Sequence, residues 1–185
     1  MGRIVYLNGE FMPEDEAKVS IFDRGYVFGD GIYEVVPVIG GKMIDKAPFL
    51  QRLQFSLGKL EIAMPCSEDE YVAFHEELIV RNELDEGVIY SQVTRGVAER
   101  DFAFPEGVKP AVMAFTQKKN LLNNPMAVSG VKVATVEELR WKNRDIKSIA
   151  LLAQVLAKQA AAEKGAFEAW MVRSGPTHGT VFFRC

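Results

Sequence analysis

Asp23-Arg24-Gly25-Tyr26-Val27-Phe28-Gly29-Asp30-Gly31-Ile32-Tyr33-Glu34 is the most informative stretch of this chain. Its three glycines and two aspartates, set between apolar runs, mean a tightly bent loop that brings backbone close to a neighbour. The Gly-x-Gly is not a dinucleotide fingerprint, because the run that follows reads as a strand and not as a helix. A structural corner and a functional loop are equal readings on physics alone. Downstream, Tyr33 to Ile39 meets Gly40-Gly41 and returns through Lys42-Met43-Ile44, which is hairpin-like. Upstream, Arg3 to Leu7 reads as a strand closed by the turn signal Asn8-Gly9.

Further out, Ser67 and Glu70 form a capping box that opens a helix through Arg81. Tyr71, Phe74, Leu78 and Ile79 repeat at the helical period and should face a core. Val88 to Arg95 and Ala111 to Thr116 are strand candidates. Gln117 to Gly130 is polar, carries Asn123-Asn124-Pro125 and reads as an interdomain linker. Val131 to Val136 is a strand. Ser148 is placed to cap an Ala-rich helix that runs to Lys164 and stops at Gly165. Phe167 to Arg173 is a further strand. The class is α+β (mixed α/β), with a first unit at residues 1–120 and a second at 121–185.

Composition narrows the functions. Hydrophobic residues at 48% and charged residues at 25% describe an ordinary globular protein. A net charge of −3 leaves no basic footprint for nucleic acid. No apolar run has transmembrane length, and MGRIVYLNGE lacks the marks of a signal peptide, so no membrane is expected and the cytoplasm is the default. Cys66, Cys185, His75 and His178 are too scattered for a disulfide framework or a metal.

Arg140-Trp141-Lys142-Asn143-Arg144-Asp145-Ile146-Lys147-Ser148 is the second dense patch. Lys147 stands at the apparent strand-to-helix boundary. A lysine partly withdrawn from water releases its proton more readily, which suits imine formation with an aldehyde. A solvated surface lysine is the commoner case. Tyr90 and Arg100 flank a strand and its following loop, where an arginine fork and a hydroxyl suit a carboxylate, although most arginines do no such thing. Arg52, in Gln51-Arg52-Leu53, is either an anion binder or a solvated helix arginine.

Taken together, DRGYVFGDGIYEVV, the QRL box, the strand VIYSQVTRG and the segment EELRWKNRDIKSIALLAQVLAKQAAAEKGAFEAW resemble the class IV (fold-type IV), pyridoxal-phosphate-dependent aminotransferases, most of all their D-amino-acid type. The resemblance runs in register from about residue 3 to residue 172. It implies a small N-terminal α/β domain and the beginning of a larger C-terminal domain, with pyridoxal 5'-phosphate between them in a homodimer. It also implies exchange of amino and oxo groups between a D-amino acid, such as D-alanine, and a 2-oxo acid such as 2-oxoglutarate. Lys147 matches the lysine that carries the cofactor and shuttles protons, and Arg52 matches the arginine on the cofactor phosphate. Tyr33, Tyr90 and Arg100 match residues around the substrate carboxylate, the last two reaching across from the partner subunit. A branched-chain L-amino-acid aminotransferase and the related aminodeoxychorismate lyase are the enzymatic alternatives.

Three departures stand against the family pattern. Phe49 and Phe102 occupy positions where histidine is usual. Thr177-His178-Gly179 puts a histidine where the family's glutamate pairs with the cofactor's ring nitrogen, which weakens the electron sink. The tail has the look of a shifted reading frame or a truncated product. Strand Phe167 to Arg173 is therefore expected to lie on an open edge, and the Ala-rich helix to keep an uncovered apolar face. Impaired transamination follows, or an inactive dimerisation or cofactor-binding module.

Overall fold

The computed structural model describes residues 2–172 and the strand at 182–184. It divides into two compact units. The first comprises Met1–Leu121 with Asp145–Ile149, and the second Leu122–Arg144 with Ala150–Cys185.

Unit one is a six-stranded, wholly antiparallel sheet backed by two helices. Its strands are β1 (Ile4–Leu7), β2 (Glu10–Pro13), β3 (Gly31–Ile39), β4 (Lys42–Met43), β5 (Glu86–Thr94) and β6 (Ala111–Lys118), in the order β2-β1-β6-β5-β3-β4. The predicted first hairpin closes through Asn8 and Gly9 at φ 50° and 103°, the left-handed geometry a two-residue turn requires. Strand periodicity decides which face is covered. Ile32, Glu34, Val36 and Val38 of β3, with Ile89, Ser91 and Val93 of β5, are buried. The alternate residues Tyr33, Val35, Tyr90 and Gln92 line the more open face.

The covered face packs on α2 (Lys46–Lys59) and α3 (Glu68–Arg81). Phe49, Leu53 and Leu57 recur every four residues along α2. The Ser67–Glu70 box caps α3 in both directions, and Tyr71, Phe74, Leu78 and Ile79 are buried as their spacing predicts. The bent loop around Arg24 contains one helical turn, α1 (Arg24–Phe28), capped by Asp23 and ended by left-handed Gly29.

Unit two is a β-α-β element built on small residues. Strand β7 (Val133–Glu137) pairs in parallel with β8 (Glu168–Val172), and α5 (Leu152–Glu163) lies between them in sequence. Ala157, Ala161, Ala166, Ala169 and Met171 form its core. The predicted linker holds one helical turn, α4 (Met126–Ser129). Leu152, Val155 and Leu156 stay exposed on α5.

Two expectations are corrected. Ser148 does not cap α5, which starts four residues later at Leu152. The backbone around Ser148 is bonded to β3 and so is unavailable to a helix: Ile149 N donates to Gly31 O at 3.1 Å and Tyr33 N to Lys147 O at 3.0 Å. Strand β8 is also not an open edge, because β9 (Phe182–Arg184) pairs antiparallel on the side away from β7.

Candidate active site

Asp145–Ile149 runs along the start of β3 and is joined to it by an isolated antiparallel bridge, with Ser148 opposite Ile32. Alternation along it decides where Lys147 goes. Ile146 and Ser148 are buried, Ile146 within the main core, and Lys147 stands between them on the other side. There its Nζ lies 3.9 Å from the centroid of the Tyr33 ring. Helix α2 fastens the same segment from outside. Lys147 N donates to the buried Ser56 hydroxyl at 3.3 Å, and Lys59 pairs with Asp145 at 3.3 Å. The backbone of Lys147 is thus fixed at N and O, while its amine is left to the open face.

Tyr33 continues an aromatic row. Its ring stacks on Tyr90 at 5.6 Å, and Tyr90 stacks on Phe115 at 5.1 Å, each from a neighbouring strand. The Tyr90 hydroxyl donates to Gln92 at 3.0 Å. Burial, assisted by the neighbouring Tyr33 phenol, pushes the Tyr90 pKa up to about 12, so it stays a neutral donor at physiological pH. Gln92 also lines a cavity of about 410 Å³ with Thr94, Met113, Tyr26 and Ile149.

Arg52 lies one turn before Ser56 on α2. Its Nε donates to Glu34 at 2.8 Å and its Nη2 at 2.5 Å. Glu34 is wholly buried, whereas the Arg52 side chain is 51% exposed. The Nε–Nη2 edge therefore serves the fold, and Nη1 has no hydrogen-bond partner among the described residues. Sequence reasoning passed over Glu34. The available signal was an acid at an inward position between Ile32 and Val36, which demands a cationic partner.

Arg100 stands apart from the Lys147–Tyr33–Tyr90 row. It is exposed on the loop after β5, with its guanidinium 5.6 Å from the Phe28 ring and 5.3 Å from that of Phe102. Thr177-His178-Gly179 and Cys185 lie outside the described residues. Among the described residues no cluster of His, Cys, Asp or Glu suits a metal ion, and no helix is long and apolar enough to cross a membrane.

The chain matches the family described as amino-transferase class IV over residues 31–176. It belongs to that family. Class IV aminotransferases also account for its similarity to individual proteins. The D-alanine aminotransferase of Staphylococcus aureus (strain MSSA476) is 43% identical over 166 residues, 89% of this chain and 58% of the relative. That of Bacillus licheniformis is 39% identical over 180 residues, 95% of this chain and 62% of the relative. The chain thus spans about three-fifths of the length of these relatives. Branched-chain amino acid aminotransferases share the class IV fold. The one from Escherichia coli superposes with a TM-score of 0.78 at 18% identity, over 94% of this chain and 59% of that one. A second, from T.th. and complexed with N-(5'-phosphopyridoxyl)-L-glutamate, gives 0.82 at 20% identity, over 94% of this chain and 59% of that one.

Pyridoxal 5'-phosphate fits the residues present. Lys147 offers an amine for an aldehyde, and the exposed edge of Arg52 offers a guanidinium for a phosphate. The pairing of Arg52 with Glu34 gives a prediction. Arg52→Gln leaves the Glu34 carboxylate buried without its cation and costs roughly 2–4 kcal/mol, scaled down because solvent reaches Arg52. The double variant Glu34→Gln/Arg52→Gln should recover most of that loss in thermal melts while still binding the cofactor weakly. An unchanged cofactor titration in Arg52→Gln would remove the phosphate role.

Proposed function

We propose that the protein is a pyridoxal-phosphate-dependent transaminase that exchanges amino and oxo groups between a D-amino acid, of the D-alanine type, and a 2-oxo acid such as 2-oxoglutarate. The observation that carries the chemistry is the placement of Lys147, pinned at its backbone and free at its amine above Tyr33. Support for the D-series comes from relatives at 39–43% identity that are D-alanine aminotransferases, against 17–20% for branched-chain neighbours.

When bound, pyridoxal 5'-phosphate supplies an electron-withdrawing ring that makes the α-proton of the amino acid acidic. Lys147 Nζ takes that proton and returns it at the other end of the exchange. The exposed edge of Arg52 holds the phosphate. Tyr33 stands at the substrate carboxylate, and Tyr90 and Arg100 reach that carboxylate across from the partner subunit, Arg100 anchoring it by its fork. The working form is a homodimer in the cytoplasm.

The test has two parts. Borohydride reduction of the protein with pyridoxal 5'-phosphate, followed by peptide mapping, should place the label on the peptide containing Lys147. Label spread evenly over surface lysines would overturn the reading. The full-length protein should turn over D-alanine with 2-oxoglutarate in preference to branched-chain L-amino acids, and the reverse preference would favour the L-type alternative.

A further inference from the structure

Arg24 is a charged residue with almost no access to water, its side chain 4% exposed, on a helix of one turn. Nε donates to Asp30 at 2.8 Å, and Nη1 donates to the carbonyl oxygen of Asp101 at 2.6 Å, 77 residues away. The loop at 96–104 is tied to α1 at its root as well. Arg24 N donates to Gly96 O at 2.9 Å, and Ala98 N to Phe22 O at 3.3 Å. Asp30 serves a second arginine, since Arg95 donates to it at 2.7 and 3.1 Å and to the carbonyls of Leu60 and Glu61. Burial works to raise the Asp30 pKa, but the hydrogen bonds and charges of Arg95 and Arg24 outweigh it and hold the carboxyl below its usual value. Asp30 is thus a fixed anion at neutral pH, and Arg24 is a rigid strut between it and the loop.

The strut ends one residue from Arg100. Arg24 and Arg100 also share one aromatic surface, their guanidinium carbons 4.7 and 5.6 Å from the centroid of the Phe28 ring. We propose that Arg24 is a positioning residue for the substrate-carboxylate anchor, setting the loop at 96–104 so that Arg100 stands over Phe28. This rests on the reading of Arg100 given above. The fork matters as well as the charge, because only a planar guanidinium reaches Asp30 and the Asp101 carbonyl together. Lysine in its place keeps the charge and loses one of the two bonds.

The experiment compares Arg24→Lys, Arg100→Ala and the double variant in the full-length holoenzyme. Arg24→Lys should raise the KM for D-alanine roughly 10-fold or more, as for a misplaced binding group, with kcat changed far less and the affinity for pyridoxal 5'-phosphate unchanged. The double variant should be no worse than Arg100→Ala, since a strut has nothing to position once the anchor is gone. Additive losses, or a fall in kcat and cofactor affinity with KM unmoved, would overturn the positioning role and leave the Arg100 reading standing. A wild-type KM in Arg100→Ala would overturn that reading and the strut with it. Should Arg24→Lys fail to fold, Asp30→Asn loosens the other end of the strut, and a wild-type KM there counts against the proposal.

Discussion

A full-length protein carrying Lys147→Ala is expected to lose at least about 10³-fold in turnover while folding normally. The asymmetry follows from which atoms of Lys147 the fold uses. Its N and O are bonded to Ser56 and Tyr33, and both bonds survive the substitution. Among the described residues its side chain contributes the contact with the Tyr33 ring, worth about 0.5–1 kcal/mol at a partly exposed site. In the proposed role of Lys147 the reaction loses both its proton carrier and the amine that holds the cofactor, and proton transfer alone accounts for about 10²–10⁴-fold. Circular dichroism and thermal melts should be close to wild type, with spectroscopic evidence of attached cofactor gone. Turnover within 10-fold of wild type would show that another group moves the proton.

The second large effect is acid lability centred on His75. This side chain is fully buried in α3 among Phe74, Tyr71 and Phe49, with ring centroids at 4.5, 4.9 and 5.4 Å. Its Nδ1 meets the carbonyl oxygen of Tyr71 at 2.7 Å, so Nδ1 carries the proton. Nε2 has no hydrogen-bond partner among the described residues, which makes a protonated ring doubly unfavourable there. Burial pushes the pKa down to about 4, against a partial opposing effect of the Tyr71 carbonyl. The folded value thus lies below the unfolded one near 6.5, and between them the unfolded chain binds a proton that the folded chain refuses. Stability is therefore full above pH 6.5, falls as the pH drops toward 4, and levels off below that, with a total of about 3 kcal/mol. Carboxylates titrate nearby, so the quantity to measure is a difference. Urea melts at pH 7 and pH 4.5 should show wild type losing some 2–3 kcal/mol more than His75→Phe. Equal losses in the two proteins would rule out His75 as the source.

Local signals were the legible ones. The capping box of α3 and the Asn8-Gly9 turn depend on residues a few positions apart, and both appear as predicted. Lys147 was singled out through its motif, but its setting was not legible. A serine before an Ala-rich run is an ordinary cap signal, and only pairing with β3, more than a hundred residues upstream, takes Ser148 away from that task. The partners that shape the site were hidden for the same reason. Glu34 with Arg52, and Arg24 with the carbonyl of Asp101, are joined by the sheet and by a loop crossing, 18 and 77 residues apart in the chain. The aromatic row fell between these cases: Tyr33 and Tyr90 were both singled out, but their contact needs the register that sets Tyr33 opposite Gln92.

The five residues Asp145–Ile149 belong to unit one although the chain on either side of them belongs to unit two. The polypeptide therefore changes unit three times, after Leu121, Arg144 and Ile149. For inheritance, this means that Lys147 is encoded apart from the rest of the unit it belongs to. A gene fragment ending at residue 121 would encode Tyr33, Arg52 and Tyr90 but not Lys147, and it would leave Gly31 O and Tyr33 N at the start of β3 without the segment that satisfies them. Recombination after Leu121 or Arg144 would separate the amine from Tyr33 and Ser56, whereas a junction after Ile149 would keep them together.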